Sequence, residues 1–322
     1  MTDHHHHHHH HGDAIADHVE ASRVGMRALW ISLGGLGLTA LAQAAVVAAS
    51  GSVALLSDTI HNASDALTAI PLGVAFVLGR RGPTRRYTYG YGRAEDLAGV
   101  CVVAVIALSA AIAAWQAFER LMDPRAIHQA SWVAVAGLVG FVGNEVIAGY
   151  RIRVGRRIGS AALVADGLHA RTDGLTSLAV VGAALGSLAG WPLADPLIGL
   201  AISIAIIRVL RIAARDVARR LMDGVEPEVV DAVTAHLASV PGIRAVERVR
   251  VRWIGHQLHV DADVALDADL AVARAHDILE DARHHLLHHV ARLADALLHA
   301  SPASHDDLDP HAGTRHHFVA TP

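Results

Sequence analysis

Asp58, His61 and Asp65 recur in the same chain as Asp166, His169 and Asp173. Residues 54–68 (ALLSDTIHNASDALT) and 162–176 (ALVADGLHARTDGLT) share Ala, Leu, Asp, His, Asp, Leu and Thr at matching offsets. On an α-helix, separations of three and four residues stack side chains on one face. Each copy therefore lines a stripe with carboxylate, imidazole and carboxylate. Ionisable groups inside long apolar segments are costly and by default mark a functional site. His61, Asp65, His169 and Asp173 together offer two nitrogen and two oxygen donors. That set suits a tetrahedral divalent ion, Zn²⁺ first, and no thiolate biases it toward softer metals. Two carboxylates neutralise a 2+ charge, and in its absence protons take its place. Binding the ion then releases protons. A site opening alternately to the two sides would exchange metal for protons. The competing use of such residues is hydrogen bonding between helices; a duplicated D-x-x-H-x-x-x-D motif favours the ion.

The elements that must hold these stripes are membrane helices. Of 322 residues 52% are apolar and 18% charged, with a mean hydropathy of +0.35, beyond an ordinary soluble domain. The apolar excess falls in six segments, about 27–50, 52–79, 96–119, 130–150, 160–189 and 194–212, each near the ~20 residues that span a bilayer. Arginines crowd alternate links: Arg80, Arg81, Arg85, Arg86 and Arg93; Arg151, Arg153, Arg156 and Arg157; Arg211, Arg215, Arg219 and Arg220. The positive-inside rule then puts both termini in the cytoplasm. Helices 2 and 5 run in opposite directions, so His61 meets the level of Asp173 and Asp65 that of His169. Asp58 and Asp166 fall one turn to either side, as steps of an access path. Gln43, Asn62, Asn144, Glu145 and Arg171 read as helix-pairing or packing residues rather than ligands.

After Asp223-Gly224 the pattern becomes that of a soluble α+β module. Residues 226–239 read as a helix begun by Pro227. Ala245–Ile254 and Leu258–Leu266 alternate strictly around a Gly255 turn, which predicts a hairpin. Residues 269–290 carry a helical apolar stripe, and a short strand follows at about 293–299. A module of ~75 residues is marginal alone and expected to pair.

The motifs Ser52–Asp65 and Ala162–Gly174, with Tyr89–Glu95 opening helix 3 and Asp195–Gly199 opening helix 6, resemble the signature of the cation diffusion facilitator family. The resemblance covers about residues 25–300. It implies a polytopic α-helical membrane protein with six transmembrane helices and a C-terminal cytoplasmic α+β metallochaperone-like domain. It further implies a homodimeric exporter of Zn²⁺ in exchange for protons, with His61, Asp65, His169 and Asp173 as the transport site. The corresponding layout is a His-rich N-terminus at 1–25, a transport domain at 26–222, a dimerisation and regulatory domain at 223–300, and a tail at 301–322. In the soluble domain, relatives bind metal on the strands, which points to His259, Asp261, His276 and His299 as a regulatory set. Ser301 stands where a bridging Asp would be expected, and Tyr87 and Tyr91 stand where some relatives carry loop His ligands.

Other classes find little support. The net charge is −4 and all 27 basic residues are Arg, which leaves no nucleic-acid footprint. H-E-x-x-H is absent, which argues against an intramembrane metallopeptidase, and no enzymatic activity is expected. Cys101 is a lone cysteine in an apolar run. His4–His11 read equally as an expression tag or a native metal-gathering segment, a question that His311, His316 and His317 in the tail also raise. The expected setting is the inner (plasma) membrane, with the bilayer, divalent ions and a second copy as partners. Export of Co²⁺, Ni²⁺, Cd²⁺, Fe²⁺ or Mn²⁺, or a membrane metal sensor that moves no ion, are the alternatives.

Overall fold

The computed structural model describes residues 10–50, 69–122, 130–191, 193–303 and 313. Asp58, His61, Asp65 and Asn62 lie outside the described residues, as do His4–His9, His311, His316 and His317. The chain divides into two compact units, Ala16–Leu221 and, with the first fifteen residues, Met222–Pro322.

Among the described residues the regular elements of the first unit are helices: α1 (His10–Ser50), α2 (Ala69–Gly79), α3 (Arg93–Met122), α4 (Ala130–Ile158), α5 (Ala161–Leu188) and α6 (Ala194–Leu221). Within the described residues, α1 (over Glu20–Val46), α3, α4 and α6 are long and apolar enough to cross a membrane. Their exposed side chains include Leu97, Leu108, Trp115 and Phe118 on α3 and Leu197, Leu200 and Ile204 on α6, as lipid contact requires. Among the described residues α5 is as long but lacks an uninterrupted apolar stretch of that length, because Asp166, His169, Arg171 and Asp173 break it. It is also the enclosed one, buried on most sides from Ala162 to Gly174.

Among the described residues three cores hold the unit together. Ala28 and Leu29 of α1, Leu72 and Phe76 of α2, Ala98 of α3, and Ala162 and Leu163 of α5 share one. Val102, Ile106, Ile152, Leu168, Ala213 and Val217 knit α3, α4, α5 and α6. Val133, Ala136 and Ala184 close the far end of the α4–α5 pair. Glycines set the closeness of that pair. A Cβ at Gly155 would come 2.8 Å from Val164 Cγ2, and one at Gly167 would come 2.7 Å from Ile152 Cγ1, the close approach small residues allow between membrane helices.

Helix α4 runs eight residues past its expected end at 150. Arg151, Arg153, Arg156 and Arg157, assigned from sequence to a link, are its last two turns. Arginine is a good helix former, and a cationic C-terminal turn is favoured by the helix dipole.

The C-terminal module comprises α7 (Pro227–Ala238), β1 (Ala245–Ile254), β2 (Gln257–Asp267), α8 (Val272–His289) and β3 (Leu293–Ala303). The hairpin turns at Gly255, whose φ of 61° suits glycine. β1 pairs antiparallel with β2, with a bulge between Val246 and Arg248. β3 then lies parallel to β2, with α8 as the crossover that a parallel pair needs. Alternation sends Val251, Trp253, Leu258, Val260, Ala262 and Ala296 to one face. There they pack on Val233 and Leu237 of α7 and Ile278, Ala282 and Leu286 of α8.

Candidate metal centre

The site begins at the turn between α4 and α5. Gly159 takes φ 77°, and the Ser160 side chain caps α5 by accepting a hydrogen bond from Leu163 N at 3.0 Å. From that fixed start, 3.6 residues per turn carry Asp166, His169, Asp173 and Ser177 along the buried side of the helix.

His169 and Asp173 are 1% and 4% exposed. His169 Nδ1 stands 3.7 Å from Asp173 Oδ1. That is longer than a hydrogen bond. It is within the span of an ion bonded to both at about 2.0–2.1 Å. Thr172 and Thr176 donate to the carbonyls of His169 and Asp173, each at 2.7 Å, which occupies their hydroxyls within the helix. Among the described residues no group of three or more His, Cys, Asp and Glu side chains is arranged to hold a metal ion; the described half of the repeat supplies two.

Asp166 has a neighbour that its spacing in the motif does not disclose. Arg151 on α4 reaches it, Nη1 to Oδ2, at 3.0 Å, with the two side chains 1% and 0% exposed. A second charge pair lies further along the same helices. Arg171 Nη2 is 2.6 Å from Glu145 Oε1, and Nε is 3.1 Å from Oε2, both residues being part-exposed. This two-point geometry is the strong form of an Arg–carboxylate contact. A sequence signal for both existed. Arg151 and Asp166 stand eight residues before and seven after Gly159, and Glu145 and Arg171 stand fourteen before and twelve after. A hairpin folded at that glycine brings such positions level. Gln43 of α1 is buried and donates to Ala136 O on α4 at 3.3 Å, a helix-pairing contact.

In the C-terminal module, the polar face of the sheet carries His259, Asp261 and Asp263 on β2. In register beside them stand Asp295, Leu297 and His299 on β3. Asp261 lies 3.8 Å from Arg252, and Asp263 lies 2.6 Å from Arg248. His276 is exposed on α8, which packs against the opposite face, so within one chain the sheet stands between it and the other three. Ser301 is buried, opposite Ala265.

Comparison with known proteins agrees along most of the chain. Residues 29–222 match the cation efflux transmembrane domain, and residues 225–303 match the cytoplasmic domain of cation efflux proteins. The probable cation efflux system protein Rv2025c of Mycobacterium tuberculosis (strain H37Rv) is 58% identical over 94% of this chain and 91% of its own length. The manganese efflux system protein MneP of Bacillus subtilis is 24% identical over 78% and 87%. The magnetosome protein MamB of Paramagnetospirillum magneticum is 23% identical over 79% and 86%. Two matched domains, helical and membrane-bound before residue 222 and α+β after 225, place the chain in the cation efflux family of transporters.

Proposed function

We propose that this protein exports a divalent cation, Zn²⁺ first, in exchange for protons, and that His61, Asp65, His169 and Asp173 hold the ion in transit. The observation that carries the reading is the buried pair His169 and Asp173, one turn apart and 3.7 Å from each other on the most enclosed helix. Leu72 of α2 and Ala162 of α5 share one core; His61 and Asp65 enter the reading from the repeated sequence motif alone.

Asp58 and Asp166 act as acidic steps on either side. For Asp166 this requires the Arg151 guanidinium to withdraw when the ion passes. Residues 26–222 form the transport domain and 223–300 a cytoplasmic dimerisation and regulatory domain, with both termini inside and the protein a homodimer in the inner membrane. His259, Asp261, His276 and His299 serve regulation when the partner subunit closes the set. Manganese is the alternative cargo, favoured by the name of the MneP relative; two imidazoles weigh against it, since Mn²⁺ prefers carboxylate and water oxygens.

The test is uptake into proteoliposomes with an internal zinc dye and an external pH dye. Zinc entry with counter-moving protons in the wild type, lost in Asp173→Ala, is expected. Zinc binding without flux would establish a sensor instead, and equal flux in Asp173→Ala would remove the assigned site.

A further inference from the structure

Five imidazoles gather on the helical side of the C-terminal module, on residues the transport reading leaves unused. His236 stands in the last turn of α7, while His284, His285, His288 and His289 close α8. Spacing alone gives two i, i+4 pairs on a helix surface. The packing of α7 beside α8 distinguishes them. His236 Nδ1 lies 3.2 Å from His285 Nε2. The His285 and His289 ring centres are 4.1 Å apart, and those of His236 and His289 are 5.2 Å apart. His284 and His288 make a separate pair with ring centres 4.4 Å apart.

We propose that His236, His285 and His289 form a divalent-cation site of the zinc class, one per chain, which ties α7 to α8. Two nitrogens bonded at about 2.0–2.1 Å to one tetrahedral ion stand about 3.3 Å apart, close to the separation His236 and His285 already keep. His289 Nδ1 is 2.8 Å from the His285 carbonyl oxygen, a contact that is released when the ring turns to bind. Three such side chains do not yet converge on one point among the described residues. Closure requires the exposed His289 ring to swing toward the other two, a rotamer change of the picosecond-to-nanosecond kind at the surface. The fourth position is left to water.

The site is separate from the strand residues His259, Asp261 and His299. Both α7 and α8 cover the apolar face of the sheet, and those three stand on the other. It also stands independently of the transport assignment.

The experiment is zinc titration against a chelator of known affinity, on the full chain in detergent with residues 4–11 deleted and Asp173→Ala introduced. His289→Gln and His285→Gln are compared in that background. Each is expected to lose one bound zinc per chain, or to bind it at least tenfold more weakly, with metal-free circular dichroism unchanged. Because His289 is exposed, its variant keeps the test valid even where His285→Gln disturbs folding. Unchanged zinc count and affinity in both variants would overturn the proposal; loss in His285→Gln alone would overturn the assignment of His289. The effect of Asp173→Ala on the zinc count in the parent chain is read separately, so failure of the transport site and failure of this one are distinguishable.

Discussion

Arg151 Nη1 lies 3.0 Å from Asp166 Oδ2, and neither side chain is more than 1% exposed. A buried pair of this kind contributes little net stability when complete, but breaking it strands a charge, at a cost of roughly 3–5 kcal/mol. Arg151→Met is therefore expected to lower the detergent melting temperature sharply, and Asp166→Leu likewise. The double variant Arg151→Met/Asp166→Leu should recover most of the loss. A double variant as unstable as the worse single one would show that the pair does not act as a unit.

Asp173→Ala should reduce zinc flux at least a hundredfold while helical content and membrane insertion persist. Asp173→Glu, which keeps the charge on a longer arm, is expected to retain measurable flux. Flux is read in vesicles, and folding by circular dichroism on the same preparation.

Gly167 faces Ile152 so closely that an added methyl group would meet Cγ1 at 2.7 Å and the backbone N at 2.9 Å. The second contact is with main chain and cannot rotate away. Gly167→Ala should destabilise the membrane domain by about 1–3 kcal/mol, seen as a lower melting temperature. Gly149→Ala, where nothing lies within 4 Å of the added carbon, is the matched control and should leave melting unchanged.

The Arg171–Glu145 pair joins α4 and α5 by two hydrogen bonds. Arg171→Gln alone should weaken the protein more than Arg171→Gln/Glu145→Gln, because the single change leaves a carboxylate facing a neutral amide. Zinc binding by the proposed transport site is expected to persist in the double variant, which would place the pair in structure rather than ligation.

Local pattern made much of this architecture readable. Strict alternation from Ala245 to Ile254 marks β1 from end to end, and the repeated motif puts His169 and Asp173 on one buried face without any coordinates. Pattern failed where the deciding interaction was distant. β3 runs to Ala303, four residues beyond its expected end, because its length is set by parallel pairing with β2 rather than by its own alternation. Charge statistics group Arg151 with the link arginines, because they describe which side of a membrane a residue favours, not what it touches. His236 gave no sign of its neighbours, since only the packing of two amphipathic helices brings α7 beside the end of α8.

The tight turn at Gly159 has a mechanical consequence. Helices joined by so short a connection and meshed through glycines resist sliding past each other. Where the proposed exchange of ion for protons requires the site to face first one side and then the other, the displacement falls between this pair and the helices around it.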